Sequence, residues 1–187
     1  MTGRHRKNVP TFWLMTDERV SDAALLAAAA HLPKGRGGIV FRHYHTPRAA
    51  RRALFERLRV VARRRRLVLM LAGDMGTAVA WRADGRHGRD NGPRHAVRPM
   101  LYSAPAHDVR EVLAAGRGGV DLLFLSPLFP TRSHPGKRHL GCVRFAAIAG
   151  QARVPVMAMG GVRPAHRRWL GRIGAAGVAA IDGFTES

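Results

Sequence analysis

Eight short apolar runs, most of them followed by a stretch with helical spacing, constrain this chain more than any other feature. The runs are TFWLMTD (11–17), GGIVFRHY (37–44), LVLMLAG (67–73), GRHGR (85–89), PMLYSA (99–104), VDLLFLSP (120–127), VPVMAMGG (154–161) and GVAAID (177–182). Between them lie DAALLAAAAHL, an arginine-rich segment, MGTAVAWRA, AHDVREVLAAG, VRFAAIAGQA and PAHRRWLGRIG. Strands that are apolar throughout are buried on both faces, and amphipathic helices between them supply the cover. Eight such units predict an α/β fold, a closed (β/α)8 TIM barrel rather than an open sheet. The fourth unit is expected to be shortened, because Arg89 to Pro99 leaves room only for a turn or a very short helix. Few residues follow Asp182, so no closing C-terminal helix is expected, and a homodimer is expected to cover the apolar surface this leaves. The division expected is a basic tail over 1–10 and a single barrel domain over 11–187.

Composition narrows the partners. The formal charge is +20, carried by 32 basic residues that are nearly all arginine and are spread along the chain. The densest cluster, RAARRALFERLRVVARRRR, places Ala50, Leu54, Leu58 and Val61 at helical spacing, which reads as an outer helix with a charged face. No zinc-finger spacing or aromatic RNA-binding motif accompanies it, so nucleic acid is the lesser alternative as a partner. No run approaches the length of a membrane span, and the basic start lacks an apolar signal core before Thr11. The single cysteine, Cys142, cannot form an internal disulfide and fits a cytoplasmic setting.

In such a barrel the functional groups sit at the C-terminal ends of the strands. Those ends carry Thr16, Asp17, Arg42, His43, Tyr44, Gly73, Asp74, His87, Asp90, Ser103, the stretch SPLFPTRSHPG, Gly160, Gly161 and Asp182. Hydroxyls, glycines and cations outnumber carboxylates, which suits an anion, most simply a phosphate. Gly160 and Gly161, just ahead of a helix expected near Pro164, let backbone approach a ligand closely or merely make a tight turn.

These residues resemble the thiamine phosphate synthase and thiazole tautomerase superfamily. WLMTDE follows a basic start, ADGRH stands for the family's ADGVH, and AHDVREV for its serine-x-histidine segment. SPLFPTRS matches the GPVFPT-x-T loop, VPVMAMGGV matches PVVAIGGI, and GAAGVAAID matches GADGVAVVS. The resemblance implies a barrel that binds phosphorylated thiamine precursors. It implies a transferase of thiamine biosynthesis that joins a pyrimidine methyl pyrophosphate to thiazole phosphate and releases pyrophosphate with Mg2+.

The departures fall on the pyrophosphate and metal half of that site. The family's QLREK becomes VFRHY, so Val40, Arg42 and Tyr44 take the inward positions and Arg42 alone keeps the pattern. The asparagine–aspartate pair of the third strand falls on Ala72 and Gly73, leaving Asp74 and Asp90 as displaced metal candidates. The serine before His107 is Pro105, and the loop lysine is His134 with Lys137 nearby. Carried over residue by residue, Thr131, Ser133, Lys137, Gly160 and Gly161 would bind the thiazole phosphate, Arg42 the pyrophosphate, and His134 would move a proton. His43, His87 and His107 are further proton carriers in reach of strand ends. The alternatives are a metal-independent tautomerase-like enzyme, although Pro127 replaces its histidine, or a lapsed phospho-ligand-binding or regulatory protein.

Overall fold

The computed structural model describes residues 9–89, 99–131 and 138–181. Eight parallel strands close into one barrel in sequence order. They are β1 (Phe12–Met15), β2 (Gly37–Phe41), β3 (Val68–Ala72), β4 (Gly85–His87), β5 (Leu101–Ala106), β6 (Leu122–Leu125), β7 (Val156–Met159) and β8 (Gly177–Ala180). Phe12 of β1 pairs with Gly37 on one side and Val178 on the other, which closes the ring. The helices are α1 (Asp22–His31), α2 (Arg48–Arg65), α3 (Met75–Ala80), α4 (Val109–Arg117), α5 (Gly141–Ala149) and α6 (Arg167–Leu170). The predicted barrel is therefore present. Most of the span expected to hold the short fourth unit, the N-terminal tail through Asn8, and the chain from Asp182 lie outside the described residues.

Strand alternation sorts the apolar residues into an interior and an outer layer. Trp13, Met15, Val40, Met70, Leu122, Phe124, Met157 and Ala179 fill the lumen. Leu14, Ile39, Phe41, Leu69 and Leu71 face out onto α1 and α2, and Leu123, Leu125, Val156 and Ala158 face the opposite helices. Trp13 is the floor of the lumen. Its indole N–H donates to Pro10 O at 2.7 Å, and its ring stands edge-on to Phe124 at 5.4 Å between centroids. Gly38 makes room for it, since a Cβ there would lie 2.5 Å from the indole.

The helix starts are secured by side chains that accept orphan N–H groups. Ser21 accepts from Ala24 N, Asp74 from Thr77 N and Asp108 from Glu111 N. At the other end of the barrel Asp84 and Asp121 accept the backbone N–H groups of Leu69 and Tyr102, at 2.9 and 2.8 Å.

Some arginines of α2 tie the helix to its neighbours and others pair along its own surface. Arg57 pairs with Asp22, and Arg52 and Arg59 pair with Glu56. Arg51 donates to Ala72 O at 2.7 Å and lies over the rings of Phe41 and Trp81. The helix expected near Pro164 is instead a 3-10 turn (Pro164–His166), the short α6 and a second 3-10 turn (Gly171–Ile173). Gly171 and Gly174, the latter at φ +84°, end it early. No helix among the described residues is long and apolar enough to cross a membrane.

Candidate active site

The C-terminal ends of the strands surround a cavity of about 1560 Å3. Its floor is apolar, with Met15, Met159 and Ala179 rising from the lumen. Its mouth is cationic, with Arg19, Arg42, Arg138 and Arg163, and Asp17 is the only carboxylate among the described lining residues.

Arg42 and Asp17 are placed by β1 and β2. Thr16 Oγ1 accepts the backbone N–H of Arg42 at 2.8 Å, and Thr16 O accepts the Arg42 Nε–H at 2.8 Å. These contacts orient the guanidinium of Arg42, which is 24% exposed and 3.9 Å from Asp17 Oδ2. Burial disfavours its charge and Asp17 favours it. Arg19 grips Asp17 through two bonds, Nε to Oδ1 at 2.8 Å and Nη2 to Oδ2 at 2.7 Å. That hydrogen bonding holds the Asp17 carboxyl down at about 2, against the opposing effect of burial. Ser21 caps α1.

The histidines separate by environment. His43 turns away from the cavity, stacked on Phe41 at 4.6 Å with Nδ1 2.9 Å from Thr16 Oγ1. His87 points into the lumen, 5% exposed, with Nδ1 2.9 Å from Ser103 Oγ. The Ser103 hydroxyl also lies 3.7 Å from Met70 Sδ, a weak acceptor. Burial, reinforced by Arg42, Arg86 and Arg89, pushes His87 from 6.5 to about 3. Burial thus favours the neutral form of His87, which lines the deep end of the cavity. His107 stands at the rim, where Nδ1–H donates to Ser126 O at 2.8 Å and leaves Nε2 for a ligand.

His87 carries a pH dependence. The unfolded chain binds a proton at His87 below 6.5 and the folded chain does not until about 3. Stability is full above 6.5 and falls as pH drops, by about 1.4 kcal/mol per unit. Chemical denaturation at pH 6.5 and 5 is expected to differ by about 2 kcal/mol. His87→Gln should flatten that slope without abolishing it, because burial also lowers His43.

Gly160 and Gly161 line the cavity at φ +91° and +65°, and the structure shows what forbids side chains there. A Cβ at Gly160 would lie 2.8 Å from Pro127, and one at Gly161 would lie 2.5 Å from Pro130 O. The loop after β6 packs against them, with Leu128 N donating to Met159 O at 2.8 Å and Phe129 N to Gly160 O at 3.0 Å. Thr131 comes to the same side of the mouth. Of the residues expected to form the site, Arg42, Thr131, Gly160 and Gly161 therefore meet in one cavity. Ser133, His134, Lys137 and Asp90 lie outside the described residues. Asp74 caps α3, a bond that lowers its pKa, and does not line the cavity. Arg19, Arg138 and Arg163 were not singled out from the sequence. The signal available was the position of each just beyond a strand end or its loop.

Fold and cavity define a (β/α)8 barrel with a cationic mouth over an apolar floor. A profile described as thiamine monophosphate synthase matches residues 12–184. The chain belongs to the thiamine monophosphate synthase family. It is 30% identical over 185 residues to the thiamine biosynthesis bifunctional protein ThiED of Geobacter sulfurreducens. That match takes in 96% of this chain but only 37% of the bifunctional protein's length. It is 31% identical over 155 residues to the thiamine-phosphate synthase of Chloroflexus aurantiacus, covering 78% of this chain and 72% of that one. The thiamine phosphate pyrophosphorylase of Pyrococcus furiosus shares the fold, with a TM-score of 0.78 at 22% identity over 97% of this chain and 90% of that one.

Proposed function

We propose that this chain is a thiamine phosphate synthase-like transferase, coupling thiazole phosphate to a pyrimidine methyl pyrophosphate in the barrel mouth. The observation that carries this reading is the cavity itself, an apolar floor for two heterocycles beneath a cationic rim for their phosphates. In the reaction the C–O bond to pyrophosphate breaks, its electron pair leaves with the pyrophosphate, and the thiazole nitrogen bonds to the methylene carbon. The protein's task is to hold the leaving anion and to orient the two rings.

Arg42, fixed by both of its bonds to Thr16, is suited to the pyrophosphate. Thr131, with the Gly160–Gly161 backbone, is suited to the thiazole phosphate, and Ser133 and Lys137 belong to the same loop. His107 Nε2 and His134 are the groups proposed to bond the ring substituents or move a proton. Met15, Met159 and Ala179 offer the rings an apolar seat.

Mg2+, which the resemblance implies, is poorly matched by the donors described. Asp74 Oδ1 accepts Thr77 N, and both oxygens of Asp17 accept from Arg19. Mg2+ prefers carboxylate and water oxygens in octahedral array, and no group of three or more His, Cys, Asp or Glu that could hold a metal occurs among the described residues.

The test is a coupled assay of the purified protein with both substrates, in Mg2+ and in chelator, with thiamine phosphate oxidised to fluorescent thiochrome. Product above the uncatalysed background is expected. Absence of product in both buffers, with thiazole phosphate still raising the melting temperature, would assign the chain to ligand binding alone.

A further inference from the structure

Four guanidinium groups and one carboxylate among the described residues line the mouth, an excess of positive charge. Arg19 and Arg42 stand at the β1–β2 side, Arg138 beyond β6 and Arg163 beyond β7. Neither Arg138 nor Arg163 has an ion pair among the described residues. Asp17, the one described carboxylate of the lining, is already held at both oxygens by Arg19. A divalent cation entering here would be repelled by the guanidinium groups and would have to displace Arg19 to reach that carboxylate. The same surroundings favour an anion directly. Guanidinium forks match phosphate oxygens in geometry and keep their charge when partly buried.

Building on the transferase reading above, we propose that the diphosphate group binds this cavity without a divalent metal. Arg42 and Arg19 supply, from the protein, the positive charge that a metal would otherwise bring. Arg42 is oriented before any ligand arrives, because its Nε–H is spent on Thr16 O while its terminal nitrogens remain directed toward the Asp17 side of the mouth. Asp17 acts as a resident counter-anion. It holds Arg19 and lies within 3.9 Å of Arg42 Nη2, so an incoming diphosphate competes with it for the same donors.

This assignment makes Asp17 a restraint on diphosphate affinity, the reverse of its role if it were a metal ligand. Calorimetric titration of the full chain with inorganic pyrophosphate, first in EDTA and then in excess Mg2+, separates the two. The expected result is a Kd in EDTA within about threefold of that in Mg2+, and Asp17→Asn binding tighter by about three- to tenfold. The EDTA and Mg2+ comparison uses the unaltered protein and so does not depend on how the variant folds.

Binding in EDTA weaker by about tenfold or more would overturn the proposal, as would Asp17→Asn weakening pyrophosphate in a chain with an unchanged melting profile. Either result, alongside thiochrome formation in Mg2+, would leave the transferase reading standing. Failure of pyrophosphate to bind in both buffers also overturns the proposal, and the thiochrome assay then decides separately whether the transferase reading falls with it.

Discussion

Arg42→Ala is expected to lower kcat/KM for the coupling reaction by about 10²–10³-fold, the usual consequence of removing one preorganised donor from a developing anion. Arg42 is not a mobile surface cation. Thr16 fixes it by the backbone and by Nε, and its partial burial strengthens its interaction with a bound anion relative to water. Arg42→Lys keeps a charge but loses both the fork and the bond to Thr16 O, so it should recover only a small part of the loss. The loss should fall mainly on kcat if Arg42 acts on the departing pyrophosphate, and mainly on KM if it only anchors the bound substrate. Thiochrome-based initial rates over a range of pyrimidine pyrophosphate concentrations distinguish these outcomes. A variant with unaltered kcat/KM would remove Arg42 from the site.

Trp13→Ala should give the largest loss of stability of any single substitution in the lumen, about 3–5 kcal/mol. The indole is fully buried, bonded to Pro10 O, packed edge-on against Phe124 and seated over the bare backbone of Gly38. Alanine would leave a void that the surrounding ring of strands is poorly able to collapse, since each strand is paired on both sides. Against a total of about 5–15 kcal/mol for an ordinary domain, this is a large fraction. Urea denaturation followed by circular dichroism gives the value directly. Trp13→Phe should cost less, because it keeps much of the volume, though it leaves a smaller void and gives up the bond to Pro10 O.

The barrel was legible in the sequence because buried parallel strands leave a plain mark. GGIVF and LLFL have no polar residue to interrupt them, and β2 and β6 are buried at every position. The alternation of Val40, Arg42 and Tyr44 was legible for the same reason, and Arg42 does enter the cavity. What lay beyond the strand ends was not. There the two-residue period stops, so nothing in GGVRP told whether Arg163 faces the mouth, and nothing in TDER told that Arg19 folds back on Asp17. His87 and His43 read alike as histidines near strand ends. The Phe41 ring under His43 turns it from the cavity, whereas His87, deep in the lumen, still lines it. The glycine pair was read as an approach for a ligand or as a tight turn. The structure adds a third constraint, the loop after β6 lying where their side chains would be.

That last contact has a mechanical meaning. Because Leu128 and Phe129 are bonded to the end of β7 and wedged over Gly160 and Gly161, the start of the β6 loop and the β7 turn behave as one bracket, already set before any phosphate arrives. A ligand on that side gives up little chain entropy to organise its seat. The cost of introducing a methyl group at either glycine would therefore fall on two segments at once, and a swap that repositions one of them must reposition the other with it.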